Sequence, residues 1–186
     1  MKYGRMKHAL CCTLSACAVL FFTAFAAEAK STKVIDAQVD DSLARFYADI
    51  GGSKELVSKS YGVLVFPSVI KAGIGIGGEY GEGALRIKGK TVDYYNTAAA
   101  SIGLQLGAQA KTVIILFITK KALGDFRKSE GWEVGVDGSV ALLNVGAGGS
   151  LDTTNVKAPV VGVVFGNKGL MYNLTLEGSK MTKLKK

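Results

Sequence analysis

The sequence predicts a single α+β domain, in which a mainly antiparallel, strongly curved, barrel-like β-sheet packs against a few helices. Short apolar segments rich in β-branched residues and bounded by Gly or Pro recur through most of the chain, whereas helical periodicity is confined to a few stretches. Glycines also repeat inside the strand-like segments, where a missing side chain lets another part of the chain approach closely. No internal repeat or second domain is apparent, and 186 residues are enough for one core.

The first predicted helix of the domain spans Val34–Ile50. Gly51 and Gly52 should end it, and Ser53 should cap a short second helix over Lys54–Ser60. As an alternative, the Val34–Ile50 helix could lie in a membrane interface. Its polar face is acidic, however, and an acidic face fits anionic lipid poorly. The apolar residues recur at steps of three or four, so we expect them to pack on the sheet: Ile35, Val39, Leu43, Phe46 and Ile50.

The stretch Tyr61–Tyr80 contains two predicted strands, the first of which, Val63–Phe66, should stop at Pro67. The second alternates Ile with Gly over Gly73–Gly78, which leaves one bare face for close approach by a backbone or a bulky side chain. The same residues satisfy the spacing of a dinucleotide-binding loop. Because that loop must open a helix and this stretch leads into a hairpin, the glycines are interpreted as packing positions.

The remainder of the chain is mostly β in pattern. We predict a basic turn at Lys88–Lys90, a central strand at Val113–Ile118 covered on both faces, and a helix over Lys120–Ser129. The other predicted segments are strands Gly83–Ile87, Thr91–Tyr95, Ala98–Ala110 and Trp132–Leu143, a loop at Gly146–Asn155, a hairpin of Val160–Phe165 with Leu170–Leu176, and a basic, partly apolar tail at Gly178–Lys186.

Residues 1–29 have the order of a secretory signal peptide: a basic start, an uncharged apolar run and a small-residue cleavage signal ending at Ala29. Leu14–Cys17 also fits a bacterial lipobox, which would make Cys17 a lipidation site. A retained transmembrane anchor is a third alternative, since the apolar run is just long enough to span a bilayer. We expect an exported protein that is periplasmic, associated with the outer membrane, or secreted, with a domain over residues 30–186.

Residue usage excludes much catalytic chemistry from that domain. All three cysteines and the only histidine lie in the leader, so the domain has no disulfide, thiol nucleophile, Ser-His-Asp triad or zinc site built on Cys or His. We expect no enzymatic activity and no cofactor or metal. The leader holds three of the 23 basic residues and one of the 15 acidic ones, so the domain keeps a net charge of +6. Such a charge suits an anionic partner.

Several segments together resemble the SYLF domain of the Las17-binding actin-regulator (Ysc84-like) family. The resemblance runs from about Ser58 to about Lys183, and its motifs are glycine-rich pieces in the expected order: Val63–Pro67 with Lys71-Ala72-Gly73, Ser101–Gln109, Val136–Ala141, and Asn167–Tyr172 leading to Leu176–Ser179. It implies a domain that binds phospholipids or phosphoinositides at a membrane surface. Actin binding accompanies lipid binding in eukaryotic members. An exported bacterial protein meets no actin unless it reaches a host cell, so actin binding is not predicted for this chain.

The predicted lipid-binding residues come from two sources. Lys71 lies on the matching Lys-Ala-Gly motif of the resemblance. The others are chosen from charge alone and lie on the predicted helix Lys120–Ser129 and in the predicted tail Gly178–Lys186: Lys120, Lys121, Arg127, Lys128, Lys180 and Lys183. Nucleic acid is a weaker prediction than lipid, because the aromatic residues alternate within strands and do not interleave with the basic runs. The alternative function is a structural or protein-interaction module of the cell envelope whose lysines only keep it soluble.

Overall fold

The computed structural model describes residues 30–144, 149–151, 158–169, 176 and 178–186. Ser31–Lys186 forms one compact unit. The predicted leader, with Cys17, and most of the predicted loop at Gly146–Asn155 lie outside the described residues. Among the helices that are described, none combines the length and the apolar character needed to cross a bilayer.

The α+β prediction is confirmed: three helices accompany a curled, mainly antiparallel sheet of six described strands. In chain order the elements are α1 Thr32–Asp49, α2 Ser53–Ser58, β1 Gly62–Ile87, β2 Lys90–Phe117, α3 Lys120–Lys128, β3 Trp132–Glu133, β4 Ala141–Asn144, β5 Val160–Gly169 and β6 Lys180–Leu184.

Strands β1 and β2 form one very long antiparallel ribbon, which the sequence divides into shorter strands. Pro67 does not end the first strand, because the pairing shifts register between Phe66 and Val69 and so accommodates a residue without an N–H. The predicted separation of the strands before and after Lys111 is likewise wrong, since β2 runs through it. The predicted basic turn is confirmed, with Lys88 and Gly89 both at positive φ, 51° and 77°, as a two-residue hairpin turn requires.

The ribbon bends so sharply that the two halves of β1 contact each other. A Cβ atom on Gly83 would lie 2.0 Å from the carbonyl oxygen of Val65, and one on Gly73 would lie 2.3 Å from the Cα of Gly77. The close approach predicted for Gly73–Gly78 is confirmed at Gly73, where the approaching group is the backbone of the same strand, whereas a Cβ atom on Gly78 would have no neighbour within 4 Å.

Strand β2 lies at the centre of the sheet, with the order β3-β6-β2-β5-β4 and β1 along its other edge. Its first part pairs with β6 and its last part with β5, while β4 adds to β5 in parallel. The tail predicted at Gly178–Lys186 is thus mainly a strand, held between β2 and β3. The prediction of one long strand over Trp132–Leu143 is wrong. This segment contains the two-residue strand β3, then a turn in which the backbone N–H of Gly135 donates to the carbonyl oxygen of Gly138, and then most of β4.

Two apolar cores lie on opposite faces of the sheet. The inner core packs against α3 and includes Phe66, Tyr95, Phe126, Trp132 and Met181. The outer core packs against α1 and α2. In the predicted central strand the side chains alternate between them, with Val113, Ile115 and Phe117 in the inner core and Ile114 and Leu116 in the outer one.

Helix α1 fits its prediction closely. Ile35, Val39, Phe46 and Ile50 are buried in the outer core, and Leu43 is partly buried against it. Ser53 is not the cap of α2: the capping position is Gly52, at φ 77°, and the hydroxyl of Ser53 donates to the carbonyl oxygen of Ile50 at 2.6 Å.

The acidic side of α1 is used within the fold. The Asp36 carboxylate accepts hydrogen bonds from Thr91 at 2.6 Å and Tyr94 at 2.8 Å, while Arg86 pairs with Asp40 at 2.8 Å. These contacts tie α1 to the β1–β2 hairpin and occupy the guanidinium of Arg86, which is therefore a structural residue.

Candidate functional site: a basic groove

Helix α3 and strand β6 border an open groove of about 690 Å³. We call it the basic groove, because its lining contains five basic side chains and only two acidic ones, Asp93 and Glu130. It is lined by Val92, Asp93, Tyr94, Arg127, Lys128, Ser129, Glu130, Lys183, Leu184, Lys185 and Lys186.

Helix α3 begins at a side-chain cap and is held by two apolar residues. The Thr119 hydroxyl accepts a hydrogen bond from the backbone N–H of Ala122 at 3.2 Å, while Leu123 and Phe126 are buried in the inner core. Burial of that face turns Arg127 and Lys128 outward in the last turn. Positive charge is favourable there because the C-terminal end of a helix carries partial negative charge.

Asp93 joins the two elements that border the groove. Its Oδ2 atom lies 3.2 Å from Nη2 of Arg127, and its Oδ1 atom lies 2.5 Å from Nζ of Lys183. The Asp93 side chain is only 10% exposed, so this bridge is shielded from solvent more than an ordinary surface ion pair. At the end of the chain, Lys186 pairs with the buried carboxylate of Glu82 at 2.9 Å.

Two cations of the groove are left available for an outside partner. Lys128 and Lys185 are exposed, and neither makes an ion pair with a carboxylate in the described part of the chain. Arg127, Lys183 and Lys186 are committed to carboxylates of the fold. The groove therefore has a fixed framework of paired charges and two unpaired lysines, one in the last turn of α3 and one directly after β6.

The structure brings together three of the predicted site residues, Arg127, Lys128 and Lys183. Lys120 and Lys121 lie at the other end of α3, where Lys120 lies 5.5 Å from the ring centre of Tyr61 and Lys121 pairs with Asp125 at 2.6 Å. These two side chains are exposed but do not line the groove.

Lys180 and Lys71 also lie apart from the groove. Lys180 is exposed on β6, opposite Glu133 of β3. Lys71 is only 5% exposed and points to the inside of the folded ribbon, so its ammonium group is not part of a surface patch with the others.

The prediction of individual site residues left out Asp93, Lys185 and Lys186. Charge alone marks the tail lysines, and all four of them were equally eligible. No local signal identifies Asp93 as the bridge, because its partners are 34 and 90 positions away in the sequence.

A titratable group of the inner core lies beside this bridge. Burial, and after it the negative charge of Asp93, raises the pKa of Tyr95 from 10.0 to about 12. The folded state therefore favours the neutral phenol of Tyr95. The stability that this neutral phenol contributes is complete below pH 10 and is lost as the pH rises from 10 to 12. The Tyr95 hydroxyl has no hydrogen-bond partner among the described residues, so Phe should replace it at little cost near neutral pH.

We expect the difference in urea midpoint between the wild type and Tyr95→Phe to be constant from pH 7 to 9.5 and to move in favour of the variant between pH 10 and 12. Urea denaturation at a series of pH values measures it. Lysine titration affects both proteins and cancels in the difference. Parallel decreases of the two midpoints across pH 10–12 would contradict the assignment.

Two comparisons with known proteins bear on the chain. A search of curated proteins gave no match. The family model described as "Ysc84: Las17-binding protein actin regulator" matches residues 98–186, which run from the middle of β2 to the end of β6 and include most of the lining of the basic groove. Residues 98–186 thus match the Ysc84 (SYLF) domain family, which confirms over that segment the resemblance predicted from the sequence.

Proposed function

We propose that the protein is a non-enzymatic module that attaches to anionic phospholipid surfaces through the basic groove. The observation that carries this proposal is the convergence of two parts of the chain distant in sequence, α3 and the end of β6, which places unpaired Lys128 and Lys185 in one groove with a fixed set of paired charges. The match to the Ysc84 family supports a binding role. The predicted export leader would bring the domain to a membrane of the cell envelope.

The charges of the groove are suited to a surface of many phosphates. A Lys or Arg near an anionic bilayer contributes about 1 kcal/mol, so attachment through two to five such side chains is weak for one groove and depends strongly on salt. A phosphoinositide headgroup carries more negative charge than other common phospholipids, and we expect it to bind more tightly than they do for that reason.

We expect residues 30–186 to co-sediment with vesicles that contain phosphatidylglycerol and not with vesicles of phosphatidylcholine alone. Binding should be lost at 1 M salt, because the Debye length falls from about 10 Å at 0.1 M to about 3 Å at 1 M. Vesicles with a phosphoinositide, matched to the phosphatidylglycerol vesicles in total surface charge, separate headgroup recognition from charge.

A protein partner is the second candidate function, and the description of the matched family as Las17-binding favours it. A basic groove also fits an acidic protein segment. Absence of binding to every vesicle, together with stoichiometric recovery of one protein from envelope extracts, would replace the lipid proposal with this one.

A further inference from the structure

The folded ribbon encloses a group of polar residues next to the inner core. They are Lys71 and Glu79 on β1 and Gln109 and Lys111 on β2, all between 3% and 8% exposed. Their neighbours in sequence point outward, as shown by Ile70, which is 50% exposed. We call these four residues the inner polar layer. It does not include any residue that lines the basic groove.

Strand register places the four side chains in one cluster. Lys71 and Gln109 are direct partners in the antiparallel pair, so their Cβ atoms are about 5 Å apart on the same face. Lys111 is two residues beyond Gln109 and therefore points to that face as well. The fold of the ribbon then brings Glu79 to Lys111, with Nζ and Oε1 2.8 Å apart.

Two residues of this layer lack partners among the described residues: one charge has no counter-charge, and one amide group has no hydrogen bonds. Glu79 and Lys111 neutralise each other, which leaves the positive charge of Lys71 without a carboxylate among the described residues. The side-chain Nε2 and Oε1 atoms of Gln109 have no hydrogen-bond partner there either. Burying a charged side chain without a carboxylate partner, or an amide without hydrogen bonds, is costly, and most buried polar groups in proteins are satisfied.

We infer that Lys71 and Gln109 form a binding site for the oxyanion of a phosphate group inside the folded ribbon. The ammonium of Lys71 and the amide NH₂ of Gln109 offer five N–H donors on one face, and a phosphate supplies the negative charge and several acceptor oxygens that they require. The ligand is free phosphate or the phosphate of a lipid headgroup. This site does not depend on the membrane attachment proposed for the groove.

The test is thermal unfolding of the full chain with increasing inorganic phosphate, with sodium chloride of equal ionic strength as reference. We expect Tm to rise by about 3 °C or more once phosphate exceeds its Kd tenfold. Lys71→Met and Gln109→Leu should each lose this rise, and the groove variant Lys128→Met should keep it. Two variants of the inner polar layer are used, because if one of them fails to fold, the other still shows whether the rise in Tm is lost.

The source of the phosphate is distinguished by a second titration with a short-chain, monomeric phosphatidic acid. A rise in Tm with inorganic phosphate assigns the site to the free anion, and a rise with the lipid alone assigns it to a headgroup. Either result must be abolished by Gln109→Leu or Lys71→Met to support the inference. No rise with either ligand, or an equal rise in the wild type and both inner variants, overturns it. Vesicle binding that persists in these variants would leave the groove proposal intact.

Discussion

Replacing Phe126 by Ala is expected to lower the free energy of unfolding by about 3–5 kcal/mol, the usual cost of removing a buried aromatic ring. The ring is 1% exposed, and its centre lies 4.8 Å from those of Tyr95 and Phe117 and 5.8 Å from that of Trp132. Tyr95 and Phe117 lie far apart on β2 and Trp132 lies on β3, so these neighbours cannot all move to fill the cavity.

The same substitution should remove the basic groove. Helix α3 has nine residues, too few to be stable alone, and only Leu123 and Phe126 of this helix are buried in the core. Urea denaturation measures the loss of stability, and vesicle binding measures the loss of the groove. The matched control is Lys121→Ala on the exposed side of α3, where an ion pair open to solvent contributes less than about 1 kcal/mol. A loss below about 1 kcal/mol for Phe126→Ala would contradict the packing described here.

Reversing the charge of both unpaired groove lysines, in Lys128→Glu with Lys185→Glu, is expected to weaken vesicle binding by roughly a thousandfold. Each reversal removes an attraction of about 1 kcal/mol and adds a repulsion of similar size, which gives about 4 kcal/mol for the pair. The fold should be unaffected, because neither side chain is buried or paired with a carboxylate of the described chain.

The elements predicted correctly from the sequence are those that local chemistry decides. Helix α1 has a regular apolar stripe and a Gly-Gly end, and the turn at Lys88 and Gly89 is a short break between two strand patterns. The length of β1 could not be predicted in this way. Pro67 usually ends a strand, and only the pairing with β2 across a bulge shows that this one continues.

The tail and the two faces of the ribbon depend on contacts between distant parts of the chain. Strand β6 exists because residues 94–98 pair with it, with Met181 in the inner core. The motif predicts Lys71 as a lipid-binding residue, but the two-residue alternation of a strand does not show which of its faces lies inside the fold. The bend of the ribbon decides the direction and turns Lys71 inward while Ile70 is exposed.

The charge pattern predicted that α3 and the tail carry the site, and the groove contains Arg127, Lys128 and Lys183 from that prediction. The charge pattern did not distinguish the residues at the end of α3, which line the groove, from those at its start, which do not, because charge alone gives no distances between residues. The role of Asp93 appears only once β2 has brought it between α3 and β6.

Co-sedimentation of Lys128→Glu with Lys185→Glu, beside Lys33→Glu with Lys54→Glu, tests the role of the groove most directly. The two control lysines are exposed in the first turns of α1 and α2 and do not line the groove, so both double variants have the same net charge. We predict that the groove variant loses binding to phosphatidylglycerol vesicles at low salt and that the control variant binds nearly as well as the wild type. Equal binding by the two double variants would contradict attachment through the groove and would leave only a general effect of net charge.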